Sequence, residues 1–414
     1  MKQCITGSIT TLAAAILAAA PVAWGESLTD QLATSVREGT VNLNFRYRFE
    51  GVDDDAFQKD AWASTLRSRL TLATKPLNGF SALVEFDDIH RIGTNHTFND
   101  TRNGITDRPT IADPKATDLN QAYLRYTGFE GTDIKVGRQR ILRNNERFIS
   151  GSGWRQNEQT FDAISISHKF NDKLTASYAW ISQVNRINGP NAGTPPADFN
   201  SSTHLFDGSY TFGPALTLAG YAYLMDFSNA DAASNQTYGL RGTGSYAIND
   251  TWKVPYTAEF ATQSDYADNP VNYHANYYLA EVGVTSSQIG IKLGYEVLAG
   301  NSTAGKGFRT PLATPHAFQG WADKFAANTV GGLNQGVKDF YVALTGKALG
   351  ADLLLRFHDF SAETGSADLG TEVDASANWA IGKHYAVLLK GASYDADTFA
   401  RDTTKYWVML TANF

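Results

Sequence analysis

The stretch Phe161–Gln183 reads FDAISISHKFNDKLTASYAWISQ, and apolar and polar residues alternate along it on both sides of a polar centre. Large apolar side chains such as Ile164 and Trp180 occupy even positions, whereas most serines, threonines and lysines occupy odd ones. A period of two is typical of a β-strand with one apolar face. The stretch therefore predicts a β-hairpin. Its two apolar faces coincide only if the loop around Asn171 and Asp172 contains an odd number of residues.

The same alternation recurs along most of the chain, with breaks at clusters of Gly, Pro, Asn and Asp. The predicted strands lie near 40–50, 61–74, 80–88, 117–127, 132–140, 161–170, 173–183, 203–212, 215–227, 236–248, 251–263, 274–285, 288–297, 337–346, 351–359, 370–380, 384–394 and 404–414. Short turns and long polar loops alternate between them, which a soluble sandwich has no reason to show. Such sorting is typical of outer-membrane barrels, with short periplasmic turns and long extracellular loops. We predict an all-β fold, a transmembrane antiparallel β-barrel of about eighteen strands.

The beginning of the chain has the features of a secretory signal peptide. Lys2 precedes a run rich in Ala, Leu and Ile, and a pattern of small residues ends at Gly25. The predicted organisation is a signal peptide over 1–25, a periplasmic segment over 26–39 and the outer-membrane barrel over 40–414. The single cysteine, Cys4, lies within the predicted signal, so we expect no disulfide in the exported chain.

Both ends of the predicted exported chain carry further patterns. Leu28, Leu32 and Val36 recur at helical spacing, which fits either a short helix at the periplasmic mouth or a frayed terminus. The final residues KYWVMLTANF alternate and end on the aromatic Phe414, and this ending resembles the signature of outer-membrane barrel proteins. Closure of the barrel between these two ends removes the unpaired edges that otherwise aggregate.

Composition limits the class of function. Hydrophobic residues make up 43% of the 414 residues, the mean hydropathy is −0.29, and no apolar run after the leader is long enough for a membrane helix. The net charge of −7 argues against a nucleic-acid partner. The sequence contains no Gly-x-Ser-x-Gly, His-Glu-x-x-His or P-loop motif, so we predict no enzyme, no cofactor and no metal. The run Asp53 to Asp55 fits either a solvated acidic loop or a weak site for calcium or lipopolysaccharide.

Strand parity predicts which side chains face the lumen. Leu43 and Phe45 share the apolar parity of the first strand, so Arg46 and Arg48 point inward. A charge on the lipid side costs roughly 2–4 kcal/mol at mid-depth, which disfavours the opposite orientation. By this rule the arginines that line the lumen are Arg46, Arg48, Arg67, Arg69, Arg125, Arg241 and Arg356. They either form a field that selects anions or pair structurally with inward carboxylates such as Glu85.

Two features leave alternatives open. In the fifth strand, Arg138 and Arg140 share the parity of Val136, so either Gly137 marks a bulge or these arginines lie above the apolar band. The long loop 141–160 contains three arginines, two glutamates and Trp154. Such a loop either folds into the lumen and narrows it or lies on the outer surface.

Three stretches resemble the alginate-export family of outer-membrane porins: VNLNFRYRFEG at Val41–Gly51, KVGRQRI at Lys135–Ile141 and RFISGSGWRQNEQTFDAISIS at Arg147–Ser167. The resemblance runs over the exported chain and is most specific in the third stretch. It implies an eighteen-stranded pore with an arginine-rich constriction that passes an anionic polyuronate outward. The positions that fit this role are Arg46, Arg48, Arg67, Arg69, Arg125, Arg138, Arg140 and Arg155.

We therefore predict a monomeric porin in the bacterial outer membrane that passes anionic or polar solutes by passive diffusion. Uronates and other carbohydrate acids are the expected solute class, and membrane lipid is the other expected partner. The chain looks shorter than the alginate exporter of that family, so the resemblance leaves the polymer substrate open. Many relatives resemble general or solute-selective porins. The alternatives are a weakly selective general porin and, from another class, a barrel enzyme or surface adhesin that acts through its loops.

Overall fold

The computed structural model describes residues 27–93, 97–191, 193, 195–326 and 333–414. Within these ranges eighteen long strands form one antiparallel sheet, and the last strand pairs with the first along Asn44–Asp54. The sheet is therefore a closed barrel, which confirms the predicted fold class. The predicted signal peptide, 1–25, lies outside the described residues. No helix in the described ranges is long and apolar enough to cross a membrane.

Each long strand pairs with its neighbours in chain order. The strands are β1 (Thr40–Asp54), β2 (Ala61–Ala73), β3 (Phe80–Arg91), β4 (Ala116–Tyr126), β5 (Thr132–Gln139), β6 (Thr160–Lys169), β7 (Leu174–Asn185), β8 (Asp198–Gly213), β9 (Leu216–Met225), β10 (Asn235–Ala247), β11 (Lys253–Asp265), β12 (His274–Thr285), β13 (Ile289–Asn301), β14 (Lys306–Gly307), β15 (Gly336–Ala348), β16 (Ala351–Ser361), β17 (Asp368–Ile381), β18 (Tyr385–Ala396) and β19 (Thr403–Asn413). The two-residue β14 belongs to a loop, and β13 pairs directly with β15.

The hairpin that decides the fold forms as predicted. Ile164 lies opposite Trp180, and Lys169 lies opposite Thr175, so an odd number of residues separates the last pair. The side-chain oxygen of Asn171 accepts hydrogen bonds from two backbone N–H groups of the turn, at 2.8 and 2.9 Å. An asparagine that closes its own turn in this way explains why the tip is short and polar.

Alternation along β1 separates an outer apolar face from an inner polar face. Leu43 and Phe45 are 39% and 36% exposed, whereas Arg46 and Arg48 are 8% and 0% exposed. The residues at the exposed positions of β1 are apolar, as a surface in contact with lipid requires. The residues at the buried positions are polar and charged, so the arginines of β1 face the interior as predicted.

The segment before β1 is helical, which settles the choice between a helix and a frayed end. Helix α1 (Leu28–Arg37) begins with the Ser27 hydroxyl accepting from the backbone N–H of Asp30 at 3.2 Å. The helix contacts the turn after β2, where the Lys75 N–H donates to the Ser35 carbonyl at 2.9 Å and the Lys75 ammonium lies 2.6 Å from a carboxylate oxygen of Glu38, the residue that follows the helix. The helix therefore lies at the rim of short turns.

Loop 140–159 and the described residues of loop 302–335, which are 302–326 and 333–335, both enter the barrel. Their backbones form a parallel bridge between Ile149 and Leu312, and the Ser150 N–H donates to the Leu312 carbonyl at 2.8 Å. The Ser152 hydroxyl donates to the carbonyl of Ala313 at 3.0 Å. The first of these loops therefore folds into the lumen, which decides the alternative that the sequence left open. The inward fold of the second loop was not predicted.

Candidate functional site in the barrel lumen

Six of the predicted arginines meet five carboxylates on the inner side of β1–β4, against the inward loop 140–159. We call this group the arginine–carboxylate cluster. It consists of Arg46, Arg48, Arg67, Arg69, Arg140 and Arg155 together with Glu50, Glu85, Asp87, Asp113 and Glu158. Paired guanidinium and carboxylate groups are the arrangement in which charges tolerate burial.

The arginines of β1 hold the loop by its backbone. Arg46 donates to the carbonyl of Gly153 at 2.8 Å and to the side chain of Gln156 at 3.0 Å. Arg48 donates to the carbonyl of Trp154 and forms an ion pair with Asp113. Parity aims both side chains inward from one strand, and the loop carbonyls satisfy their donors. These two arginines are therefore structural anchors of the constriction.

Glu158 is the central acceptor of the cluster. Its carboxylate accepts from the Arg140 Nε at 2.5 Å and from the Asn120 amide at 2.8 Å, and it forms an ion pair with Arg69. Burial by itself raises the pKa of Glu158, but the Arg140 hydrogen bond and the charges of Arg69 and Arg140 outweigh burial and lower it to about 2. Glu158 therefore stays ionised.

Arg155 connects the cluster to the second inward loop. Its guanidinium lies 3.2 Å from Glu50 on β1 and 3.4 Å from Asp323 in loop 302–335. Burial by itself lowers the pKa of Arg155, but the charges of Glu50, Asp113 and Asp323 outweigh burial and raise it. The cation is therefore held between both loops and the wall.

Arg67 differs from the other members of the cluster. It donates to the side chain of Asn44 at 2.7 Å, and among the described residues no carboxylate oxygen lies within ion-pair distance of it. Six arginines outnumber the five carboxylates of the cluster by one, and Asp323 of loop 302–335, 3.4 Å from Arg155, brings the charges into balance. Arg67 is the member of the cluster whose positive charge no contacting carboxylate compensates among the described residues.

The other four predicted arginines lie apart from the cluster. Arg125 is half-exposed near the short-turn rim and pairs with Asp133 at 2.9 Å. Arg241 pairs with Glu259 on the opposite wall. Arg356 lies 5.6 Å from the ring centroid of Tyr341 on β15.

Arg138 does not join the lumen residues. The register runs through Gly137 without a shift and places Arg138 opposite Ala122 and Asp162, on the face of the outward Val136. Its Nε donates to the Asp162 carboxylate at 2.7 Å. Gly137 has a φ of +125° but forms no bulge. Arg140 follows the end of β5, where alternation no longer applies, and its side chain turns inward.

An aromatic cluster on the opposite side of the lumen was missed by the sequence argument. Phe148 of the inward loop packs against Tyr221 at 5.6 Å, Tyr277 at 5.1 Å and Phe308 at 5.7 Å between ring centroids. The sequence does contain a signal for this cluster. Several strands carry an apolar side chain at an inward position near the extracellular end, as at Tyr221. Strand parity predicted charged side chains on the inner face, whereas this part of it is a dry core of packed aromatic rings.

Arg147 lies within the dry side. Its Nε donates to a Glu296 carboxylate oxygen at 2.6 Å, and its guanidinium lies 4.8 Å from the Phe318 ring centroid. Both side chains of the ion pair are almost fully buried. Burial by itself lowers the pKa of Arg147, but the charge of Glu296 outweighs burial and raises it.

A cavity of 380 Å³ lies on the extracellular side of the cluster. Its lining includes the cations Arg155, Lys324 and Lys405, the anions Asp54 and Asp323, and the ring of Trp154. A larger groove of 510 Å³ lies among β6–β9 and includes outward side chains of the lipid face. We therefore place the candidate solute site in the smaller cavity. The described residues contain no group of three or more His, Cys, Asp or Glu side chains suited to a metal.

Comparison with known proteins supports the resemblance. A family model described as alginate export matches residues 38–284, more than half of the chain, and all three quoted stretches lie within that range. No curated protein sequence matches the chain.

Solved structures share the fold. The crystal structure of Acinetobacter baumannii OccAB2 has a TM-score of 0.72 at 15% identity, over 92% of this chain and 99% of that one. OccAB4 of the same organism has a TM-score of 0.69 at 14% identity, over 91% and 98%. Pseudomonas aeruginosa OpdK with vanillate has a TM-score of 0.68 at 13% identity, over 92% and 99%. The chain therefore belongs to the alginate-export family and is an outer-membrane β-barrel channel with the fold of the Occ and Opd porins.

Proposed function

We propose that this channel passes small anionic or polar solutes, with uronates and other carbohydrate acids as the main class, by passive diffusion. The observation that carries the proposal is the uncompensated cation Arg67 in the arginine–carboxylate cluster. A fixed charge in a narrow lumen raises the local concentration of ions of opposite sign. Each barrel is proposed to act as a monomer, because the solute path lies within one chain.

The extracellular cavity supports the same proposal. The cations Arg155, Lys324 and Lys405 and the anions Asp54 and Asp323 line it, so a charged or polar solute meets hydrogen-bond donors and acceptors there. The OpdK structure contains vanillate, an aromatic carboxylate, and we include such acids among the candidate solutes.

A weakly selective general porin is the second candidate. Its support is the near balance of the cluster, in which most guanidinium groups already have a carboxylate or carbonyl partner. Charges that neutralise one another leave only a small net field for a passing ion. The two candidates differ in the size of the anion preference.

Reversal potentials in a KCl gradient across planar bilayers test the proposal. We expect an anion preference in the natural channel. The substitution Arg67→Gln removes this cation. At about 10 Å through water one unit charge changes the energy of an anion and of a cation by about 0.4 kcal/mol in opposite directions, which is about a fourfold change in the anion-to-cation permeability ratio. We expect that ratio to fall accordingly.

The matched control is Arg138→Gln, which removes an arginine from the outer face and is expected to leave the reversal potential unchanged. A cation preference, or no conductance, in the natural channel contradicts an anion channel. An unchanged ratio in the Arg67→Gln variant assigns Arg67 to a structural role beside Asn44. Block of the conductance by glucuronate, vanillate and phosphate then ranks the solutes.

A further inference from the structure

Lys390 of β18 lies in a box of aromatic rings inside the barrel. Its Nζ lies 3.5 Å from the ring centroid of Trp321, 4.1 Å from that of Trp154 and 5.4 Å from that of Trp407. Each ring face attracts a cation, and the attraction is strongest for tryptophan and for sites with little water. Among the described residues no carboxylate oxygen forms an ion pair with Lys390, so the rings take the place of a counter-ion.

The box joins four separate parts of the chain. Trp154 belongs to loop 140–159, and His316 and Trp321 belong to loop 302–335. Lys390 lies on β18, and Trp407 lies on the neighbouring β19. The His316 ring stacks on Trp154 with centroids 4.3 Å apart and planes 9° apart. One ammonium group therefore contacts both inward loops from the barrel wall.

Hydrogen bonding fixes the state of His316. An ammonium can only donate, so the 2.7 Å contact makes the His316 Nε2 the acceptor from Lys390. The proton of the imidazole then lies on Nδ1, which donates to Asp323 at 2.9 Å. Asp323 also accepts from Lys405 at 2.8 Å and lies 3.4 Å from Arg155. The neutral imidazole is thus part of a continuous chain of contacts from β18 to β1.

We propose that Lys390 is the latch that holds the two inward loops together against the β18–β19 wall and so sets the width of the constriction. The effect of the latch on conductance rests on the proposed channel function, whereas the contacts of Lys390 do not depend on it. Without the ammonium the ring faces lose their shared cation, and His316 loses its donor. The two loops then repeatedly lose and regain contact with each other, and the conductance fluctuates as they do.

Single-channel recording of the full chain tests the latch. We expect Lys390→Met to make transitions between conductance levels about tenfold more frequent, and Lys390→Arg to restore the natural frequency because it keeps the cation. The matched control is Lys292→Met. Lys292 is also a strand lysine near a ring, 5.8 Å from the Tyr341 centroid, but it pairs with Glu281 at 2.6 Å instead of contacting either loop.

A second readout does not depend on conduction. Ser152 is almost fully buried and its hydroxyl donates to the Ala313 carbonyl of the second loop, so Ser152→Cys in a Cys4→Ser background gives one thiol that the joined loops protect. We expect Lys390→Met to raise the rate of labelling by a membrane-impermeant maleimide about tenfold, whereas Lys292→Met leaves it unchanged. Trp321→Leu, which alters no charge, is expected to act in the same direction if Lys390→Met fails to fold.

The outcomes separate the two proposals. If the natural chain does not conduct but the Lys390→Met variant is labelled faster than it, the transport proposal is contradicted and the latch is supported. Equal labelling and equal transition frequency in Lys390→Met and Lys292→Met overturn the latch whatever the channel conducts.

Discussion

The two sides of the lumen hold the same inward loop by different physical means. On the β1–β3 side, loop 140–159 is held by guanidinium groups, carboxylates and backbone carbonyls. On the β9–β13 side, Phe148 is packed among aromatic rings, and the neighbouring ion pair Arg147–Glu296 is almost fully buried. Burial of apolar area stabilises a structure directly, whereas a buried ion pair loses much of its gain to desolvation. The aromatic side therefore contributes most of the stability with which the loop is held, and the charged side, which also holds it, sets the field.

The largest effect is expected from breaking the buried ion pair of the aromatic side. Arg147→Met leaves Glu296 without its partner in a dry environment, and such a loss costs about 3–5 kcal/mol. Denaturant unfolding in detergent micelles measures the change. The double variant Arg147→Met with Glu296→Gln is the control and is expected to regain most of the stability. A single variant as stable as the natural chain contradicts the assignment of most of the stability to this side.

Removal of the central ring of the aromatic cluster comes next. Phe148→Ala creates a cavity between Tyr221, Tyr277 and Phe308, and truncations of this kind cost about 3 kcal/mol. The same unfolding measurement applies. Leu142→Ala lies in the same loop but is 47% exposed, and its cost is expected to stay within about 0.5 kcal/mol. Equal effects of the two substitutions are incompatible with a dry core at Phe148.

A smaller loss of stability is expected on the charged side, together with a change in selectivity. Glu158→Gln removes charge-assisted bonds to Arg69 and Arg140 that contribute about 2 kcal/mol. It also adds one unit of net positive charge to the cluster. Reversal potentials are expected to show about a fourfold higher anion-to-cation permeability ratio. A lower ratio is the result that contradicts the proposed field.

The smallest effect is expected in the pH dependence of stability at acidic pH. The pKa of Glu158 is lowered from 4.5 to about 2, so its contribution to stability is fully present above 4.5 and is lost as the pH falls through about 2. The difference in unfolding free energy between the natural chain and Glu158→Gln is expected to shrink over that window. A difference independent of pH indicates that the side chain acts by shape and not by charge.

Strand parity predicted much of the interior because it depends on neighbouring residues alone. Arg46, Arg48, Arg67 and Arg69 lie on the parity opposite the lipid-facing residues, and a charge is strongly disfavoured on the lipid face. Parity could not say that Glu85, Asp87 and Glu158 neutralise most of them, because that depends on which strands and loops meet. It also could not place Arg140, which lies one residue beyond the ladder of β5.

The inward loops show more clearly what the sequence pattern could not predict. Arg147 and Arg155 are close in sequence and carry the same charge, yet one is buried against Glu296 and the other lies beside Glu50 and Asp323. Their partners are distant in the chain, and no local pattern links them. His316 and Trp321 gave no periodic signal, since loop contacts follow from the shape of the lumen.

The sequence by itself determined the closed barrel, its outer apolar face and the inward orientation of the arginines on β1 and β2, since alternation and turn chemistry act between near neighbours. Only the tertiary structure decided that two loops enter the lumen, that one side of it is dry and that Arg67 has no carboxylate partner among the described residues. The physical reason is that ion pairing and ring packing depend on distances across the barrel, which close only when all the strands are in register.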